Sequence, residues 1–555
     1  MKSIYIKSVE FFDANAHQID EIYAEKLLMD ISTIIPIKDD NNILFLNVGN
    51  AFEENKFIKE FIGKEYKIYK EKNDIYRFIQ GLKGQLEVKL YNLVLQNPIG
   101  YLISLYRMLD YNSQFTPLVM EEIDKDIDEI EFKDEKIRIL ASSINLLKKQ
   151  ANESRFKKIL GYIENIIAID KQALQKVVNY ILAYKFEYSD TNIQAVVELE
   201  DLIEVARGIY RILSIKHEIF SNIEKNTLII DNGEIIISVE EPILKTISGD
   251  FYDVMSNNLT NNFKFDDKVN EVMREFIGVD SITINNAINN AINRYTDGES
   301  EYPGMMFFDE EGLLMFLKSF FSIDTNNAKK IKKELVLDKL KVSKIRNDVS
   351  LNEGRLMRQS ILELNEGLYI CSEPIFLFSL GGIIADIADG NISNEEFKGK
   401  LFKYIHEMHI EFEKDVESLI GANSSCQLLN RRVHETFFKE FKLPGEIDIL
   451  VIIKGVLFVI ECKAFSLQFN LSGMLSEMKK VKGTSDKKSI QQKLKANVDT
   501  LKENKHIVES VVGLKIDKIE GVIITKNPSI AFEANMGFFD VIHSSQILNY
   551  IKDHT

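Results

Sequence analysis

The sequence predicts an α+β chain of several domains: a large, mainly helical N-terminal region with short β-hairpins, then a C-terminal α/β/α domain. Three observations carry this. A chain of 555 residues is too long for a single core. From about Pro117 to Lys225 and again from about Leu244 to Leu340, apolar residues recur at helical spacing with few Gly or Pro. Near residue 450 the pattern changes to two short apolar runs flanking Lys454-Gly455, the mark of a buried strand pair.

Four segments follow. Residues 1–115 read as mixed α/β, with Ile43–Val48 a strand and Phe52–Phe61 a helix. Residues 116–345 read as helical, interrupted by a hairpin at Thr227–Val239, where Asn232-Gly233 suits a tight turn between β-branched runs. The polar stretch Thr296–Gly304 breaks the second helical block. Residues 346–394 hold a hairpin over Ser360–Phe378, turning at Asn365-Glu366-Gly367, and a linker at Asp389–Asn394. Residues 395–555 form the last domain.

Composition narrows the class. A hydrophobic content of 45% and a charged content of 28% are ordinary for a water-soluble globular chain. The longest nearly apolar run, Ile375–Ala385, is too short for a membrane span, and the N-terminus lacks a signal-peptide pattern. Cys371, Cys426 and Cys462 are scattered, which suits a reducing cytoplasm. His406 and His409 lie one helical turn apart without further ligands nearby, and read as a helix face rather than a zinc site. The net charge of −16 is unevenly placed. Residues 401–555 carry 21 Lys and Arg against 20 Asp and Glu, so the first 400 hold a net −17. A polyanion should meet the C-terminal part.

The informative stretch is GEIDILVIIKGVLFVIECKAF, Gly445–Phe465. With Lys454-Gly455 as the turn, Ile453 pairs with Val456 and Asp448 falls directly across from Glu461. Lys463, two residues on, shares their face. Two carboxylates opposed in an apolar hairpin repel unless something offsets them, and a divalent cation does so. Lys463 beside it would orient or deprotonate a water, or stabilise charge developing on phosphorus. Taken alone, E-x-K is a salt bridge at a strand end. Joined to an Asp thirteen positions earlier across two apolar strands, it is far more specific.

Gly-Glu-Ile-Asp448 with Ile460-Glu461-Cys462-Lys463-Ala464 resembles the PD-(D/E)XK nuclease superfamily, and within it the Mrr-like restriction endonucleases. Ile447 stands where the family name has proline. The resemblance covers roughly residues 400–555 and implies a restriction-endonuclease-like α/β/α fold and an Mg²⁺- or Mn²⁺-dependent endonuclease. Asp448 and Glu461 would hold the metal with the Cys462 carbonyl. EFEKDVESLI would be the family's first helix, with Glu413 as a further metal ligand or else an exposed helical acid.

Downstream, a helix starting near Ser485 would bury Ile490, Leu494, Val498 and Leu501. Gln491 or Gln492 could match the glutamine that relatives carry after E-x-K. Between Met478 and Val498 lie seven lysines against one acid, Asp486. Of these, Lys487, Lys488 and Lys495 read equally as a solvated face or as phosphate contacts. Strands at Gly521–Lys526 and Phe538–His543 and a helix at Ser545–Lys552 would close the domain.

The expected partner is nucleic acid, DNA ahead of RNA, in a homo-oligomer that does not involve a membrane. Restriction or phage defence is the role the resemblance suggests. The competing reading is a sensor or assembly protein whose nuclease-like domain is a regulated effector or only binds nucleic acid.

Overall fold

The computed structural model describes residues 2–32, 38–39, 42–43, 55–63, 66–95, 97–123, 153–183, 198–221, 227–231, 234–238, 265, 267–296, 305–345, 356, 358–365, 367–388, 392, 394–423, 426–465, 477, 480–481, 489–526 and 537–555. They fall into two compact units, one of Met1–Glu240 and Lys264–Ala385, the other containing Asp386–Thr555.

The first unit is mostly helical. Long helices run over Lys2–Ser32, Lys72–Val94, Pro98–Ile123, Glu153–Ala183 and Leu199–Ser221. Their buried residues belong to one cluster extending from Phe11 to Ile375, so the core crosses the boundaries expected at residues 115 and 345. Thr227–Asp231 and Glu234–Ser238 pair antiparallel from Thr227↔Ser238 to Asp231↔Glu234, and Lys67–Tyr69 adds a third strand. Asn232-Gly233 itself lies outside the described residues, as do residues 44–48 of the expected first strand. The helix expected from Phe52 covers Lys56–Ile62, where Asn55 caps it by accepting from the Ile58 N–H.

The hairpin expected over Ser360–Phe378 is shorter. Ile361–Asn365 pairs with Leu368–Cys371, and Glu373–Ala388 is helix. The reason lies in Ser372-Glu373-Pro374: Ser372 Oγ accepts from the Ile375 N–H, Glu373 suits the first turn, and proline is tolerated there. That start signal outweighs the β-like Ile375–Phe378.

The second unit is three-layered. Helix α1 (Glu395–Asn423) begins where the Asn394 side chain accepts from the N–H groups of Glu396 and Phe397. Then come β1 (Cys426–Val433), β2 (Ile447–Ile453) and β3 (Val456–Lys463). Helices α2 (Ile490–Glu503) and α3 (Lys505–Val512) lead to β4 (Lys518–Thr525). β5 (Asp540–His543) and α4 (Ile547–His554) finish the chain. The segment Cys426–Lys442, which by pattern fits helix or strand, is strand up to Val433 and turns thereafter.

The sheet order is β1-β2-β3-β4-β5, antiparallel through β3 and parallel from β3 to β5. Phe412, Val416 and Ile420 of α1 and Ile547 and Ile551 of α4 pack on the face formed by Ile449, Val451, Phe458 and Ile460. Leu494, Val498 and Leu501 of α2 cover the opposite face with Leu450, Ile452, Leu457 and Val459. Ile447, which strict alternation assigns to the α1 side, packs on the α2 side instead.

The register of the β2–β3 hairpin follows from its turn. Lys454 and Gly455 both have positive φ, 48° and 82°, as a two-residue type I′ turn requires. Pairing then runs from Ile453↔Val456 to Ile449↔Ile460. Gly455→Ala places a Cβ in left-handed backbone and against the Asp517 carboxylate. It should cost about 1–2 kcal/mol of stability, readable by chemical denaturation of the full chain; an unchanged midpoint would contradict this account of the turn.

Candidate active site

Within β2 and β3 every residue is buried except Asp448, Glu461 and Lys463. The sequence makes this so: twelve apolar or thiol side chains fill both faces of the hairpin, and the three charged ones collect at its open end. There the ladder stops after Ile449↔Ile460. The next N–H, that of Cys462, donates to Asp448 Oδ2 at 2.7 Å, so a carboxylate takes the place of a backbone partner.

Lys463 Nζ gathers the rest. It lies 2.7 Å from Glu461 Oε1, 3.5 Å from Asp448 Oδ2, and donates to the Cys462 carbonyl at 2.9 Å. Its contacts with both acids put the three side chains at one place. Burial pulls the Lys463 ammonium towards neutrality, but the charges of Glu461 and Asp448 outweigh it and hold the pKa above the usual lysine value. Asp448 is pushed up to about 6, first by burial and then by the charge of Glu461, against the pull of Lys463 and the Cys462 N–H. The Cys462 thiol is raised well above its ordinary value by burial and packs in the core beneath α1. Only its main chain faces the site.

Three oxygens from Asp448, Glu461 and the Cys462 main chain thus converge on one cation, here an ammonium. Hard oxygen donors of this kind suit Mg²⁺ or Mn²⁺, which take one or two carboxylates and complete their shell with water and phosphate oxygens. Among the described residues no group of three His, Cys, Asp or Glu side chains is gathered about a point.

Glu413 is held by arginines, and its charge adds to that of Glu461 in raising Asp448. Arg432 Nε donates to its Oε2 at 2.8 Å, and Arg431 Nη1 lies 3.6 Å from the same oxygen. Arg431 also binds Glu417, at 2.9 Å. Sequence reasoning missed both arginines. The available signal was Arg431-Arg432 at the end of one element facing Glu413 and Glu417, one helical turn apart, in the element before.

The downstream candidates divide. The Gln491 side chain is buried and pairs with the Phe539 backbone in both directions, Nε2 to O at 2.7 Å and Oε1 from N at 3.0 Å. Gln492 closes a capping box, its Oε1 accepting from the Ser489 N–H while Ser489 Oγ accepts from its own. The Gln491 amide is thus spent at both ends on the Phe539 backbone, whereas Gln492 is exposed and gives its side-chain oxygen to the helix cap. Lys495 is half-exposed, paired with Asp499 at 2.6 Å and lying over the Phe538 ring. Lys487 and Lys488 lie outside the described residues, as do the side chains of His406 and His409.

No helix among the described residues is long and apolar enough to cross a membrane. No curated protein and no solved structure matches the chain. Residues 411–525, which contain α1 from Glu411 onward, the charged hairpin, α2, α3 and β4, match the family model described as NERD, a nuclease-related domain, and so form a nuclease-like domain of PD-(D/E)XK-like type.

Proposed function

We propose that the C-terminal unit is a metal-dependent endonuclease that hydrolyses phosphodiester bonds, DNA in preference to RNA. The observation that carries this is the convergence of Asp448, Glu461 and the Cys462 carbonyl on one cation within the nuclease-related segment. Asp448, Glu461 and the Cys462 carbonyl are the groups that would hold Mg²⁺ or Mn²⁺. When bound, such an ion supplies a lowered water pKa and a counter-charge for the phosphate. The Cys462 N–H fixes the aim of the Asp448 carboxylate. Lys463, in contact with both acids, would act by orienting or deprotonating a water or by stabilising negative charge on the phosphate oxygens. The Cys462 thiol takes no part.

Membership of the Mrr-like group, assembly as a homo-oligomer, a cytoplasmic location and a role in restriction or phage defence belong to the same proposal by analogy with the family. Full-length protein should nick supercoiled plasmid in Mg²⁺ or Mn²⁺ and stop on addition of EDTA. Plasmid left intact with either ion, over a range of protein concentrations, would sink the proposal.

A further inference from the structure

Beside the proposed centre stands a cation that the chemistry above does not use. Arg432 lies in β1 with φ 55°, in the left-handed region that residues other than glycine seldom adopt. β1 is the edge of the sheet, and its ladder sets Arg431 against Ile449 and Val433 against Ile447, so Arg432 is level with Asp448. In a regular strand, neighbouring side chains point to opposite faces. Here Arg431 and Arg432 both reach Glu413 on α1. The left-handed backbone swings Arg432 to its neighbour's side, while Val433 turns to the opposite face and packs there with Leu450 and Ile452.

The guanidinium is held by one edge. Nε and Nη2 donate to the two oxygens of Glu413, at 2.8 and 3.5 Å. Nη1 has no hydrogen-bond partner among the described residues, and the side chain is 33% exposed. The outer edge, Nη1 with Nη2, has the fork geometry that grips two oxygens of one phosphate. Lys463 offers no such edge, because its ammonium is taken up by Asp448, Glu461 and the Cys462 carbonyl.

We infer that Arg432 binds a backbone phosphate of the polynucleotide through its outer edge, with Glu413 as the positioning residue that aims it. The inference rests on the nuclease reading for its substrate class. Glu413 then serves the site through Arg432 and not as a metal ligand, and the strained backbone is the means of presenting the guanidinium beside Asp448.

The test uses the full chain and a short fluorescent duplex DNA, with Ca²⁺ for binding and Mg²⁺ for cleavage. Arg432→Gly removes the side chain and accepts the left-handed backbone, so its melting temperature should equal or exceed that of the parent. Its Kd should rise about tenfold, and the slope of log K against log salt should fall by about 0.9, one duplex phosphate contact. Arg432→Lys keeps the charge without the fork and should fall between the two, which also decides the matter if the glycine variant melts early. Parent protein that binds and cuts, with Arg432→Gly and Arg432→Lys matching it in Kd and slope, overturns the phosphate role and leaves the nuclease reading intact. Parent protein that binds without cutting, with the slope lowered in Arg432→Gly, upholds the phosphate role and removes the nuclease reading. A parent that neither binds nor cuts removes both.

Discussion

Asp448→Asn, Glu461→Gln and Lys463→Ala should each lower plasmid cleavage by about a hundredfold to a thousandfold, the range found when one preorganised electrostatic group is removed. The amide variants are chosen because of what the acids also do structurally. Asp448 is the acceptor for the buried Cys462 N–H, and truncation to alanine would strand that donor at a cost of about 1–3 kcal/mol. Asparagine keeps an oxygen there while removing the charge. Since Asp448 is already raised towards neutrality by burial and by Glu461, removing either negative charge relieves repulsion in the folded state. Melting temperature should therefore hold or rise in Asp448→Asn and Glu461→Gln while cleavage collapses. Lys463→Ala should lose both, because it leaves two carboxylates facing each other without their ammonium. Undiminished cleavage in any of the three variants, measured over a range of Mg²⁺, would refute the assignment.

The parts of this molecule that were legible in the sequence are those fixed by local rules. Lys454-Gly455 between two apolar runs admits a two-residue turn, and that turn dictates every pair from Ile453↔Val456 to Ile449↔Ile460. The β-branched runs Thr227–Asp231 and Glu234–Ser238 were likewise legible as a strand pair, and Asp231 is paired to Glu234. The three charges of the hairpin were visible because nothing else in those strands is polar. Other features depend on what the chain meets at a distance. Gln491 and Gln492 follow the E-x-K segment at a suggestive interval, yet one completes the backbone of Phe539 and the other caps its own helix. Glu413 carries no mark of its bond to Arg432, since that bond exists only because Arg432 adopts a backbone that propensity disfavours. Apolar periodicity likewise locates helices without revealing that residues as far apart as Phe11 and Ile375 share one core.

The largest stability effect is expected in the helical unit, at Arg207. Its Nε and Nη2 donate to both oxygens of Asp170, at 2.7 and 2.6 Å, and Nη2 lies 2.6 Å from Asp30 Oδ2. Tyr23 donates to Asp170 and accepts from Asn112, while Lys26 and Glu204 form a pair at 2.6 Å on neighbouring turns. One buried guanidinium thereby joins three of the long helices, Lys2–Ser32, Glu153–Ala183 and Leu199–Ser221, and Asn112 brings in Pro98–Ile123 through its bond to Tyr23. Arg207→Met retains the length of the side chain but leaves Asp30 and Asp170 buried without their counter-ion, which should cost about 3–5 kcal/mol. The loss should depend on pH in a stated direction. Burial raises Asp30 to about 6 in the folded protein, against an ordinary value of 3.8, and the charge of Arg207 opposes that rise. A carboxyl raised in this way stabilises the fold below its unfolded value and loses that contribution as pH climbs through the folded one. In the parent the loss falls between about pH 4 and pH 6. Without Arg207 the folded value rises further, so the window extends upward and the variant should be much weaker than the parent at pH 8 and closer to it at pH 5. Denaturant midpoints of both proteins at the two pH values measure this directly. A deficit that is equal at pH 5 and pH 8 would show that Arg207 acts by packing and not by charge.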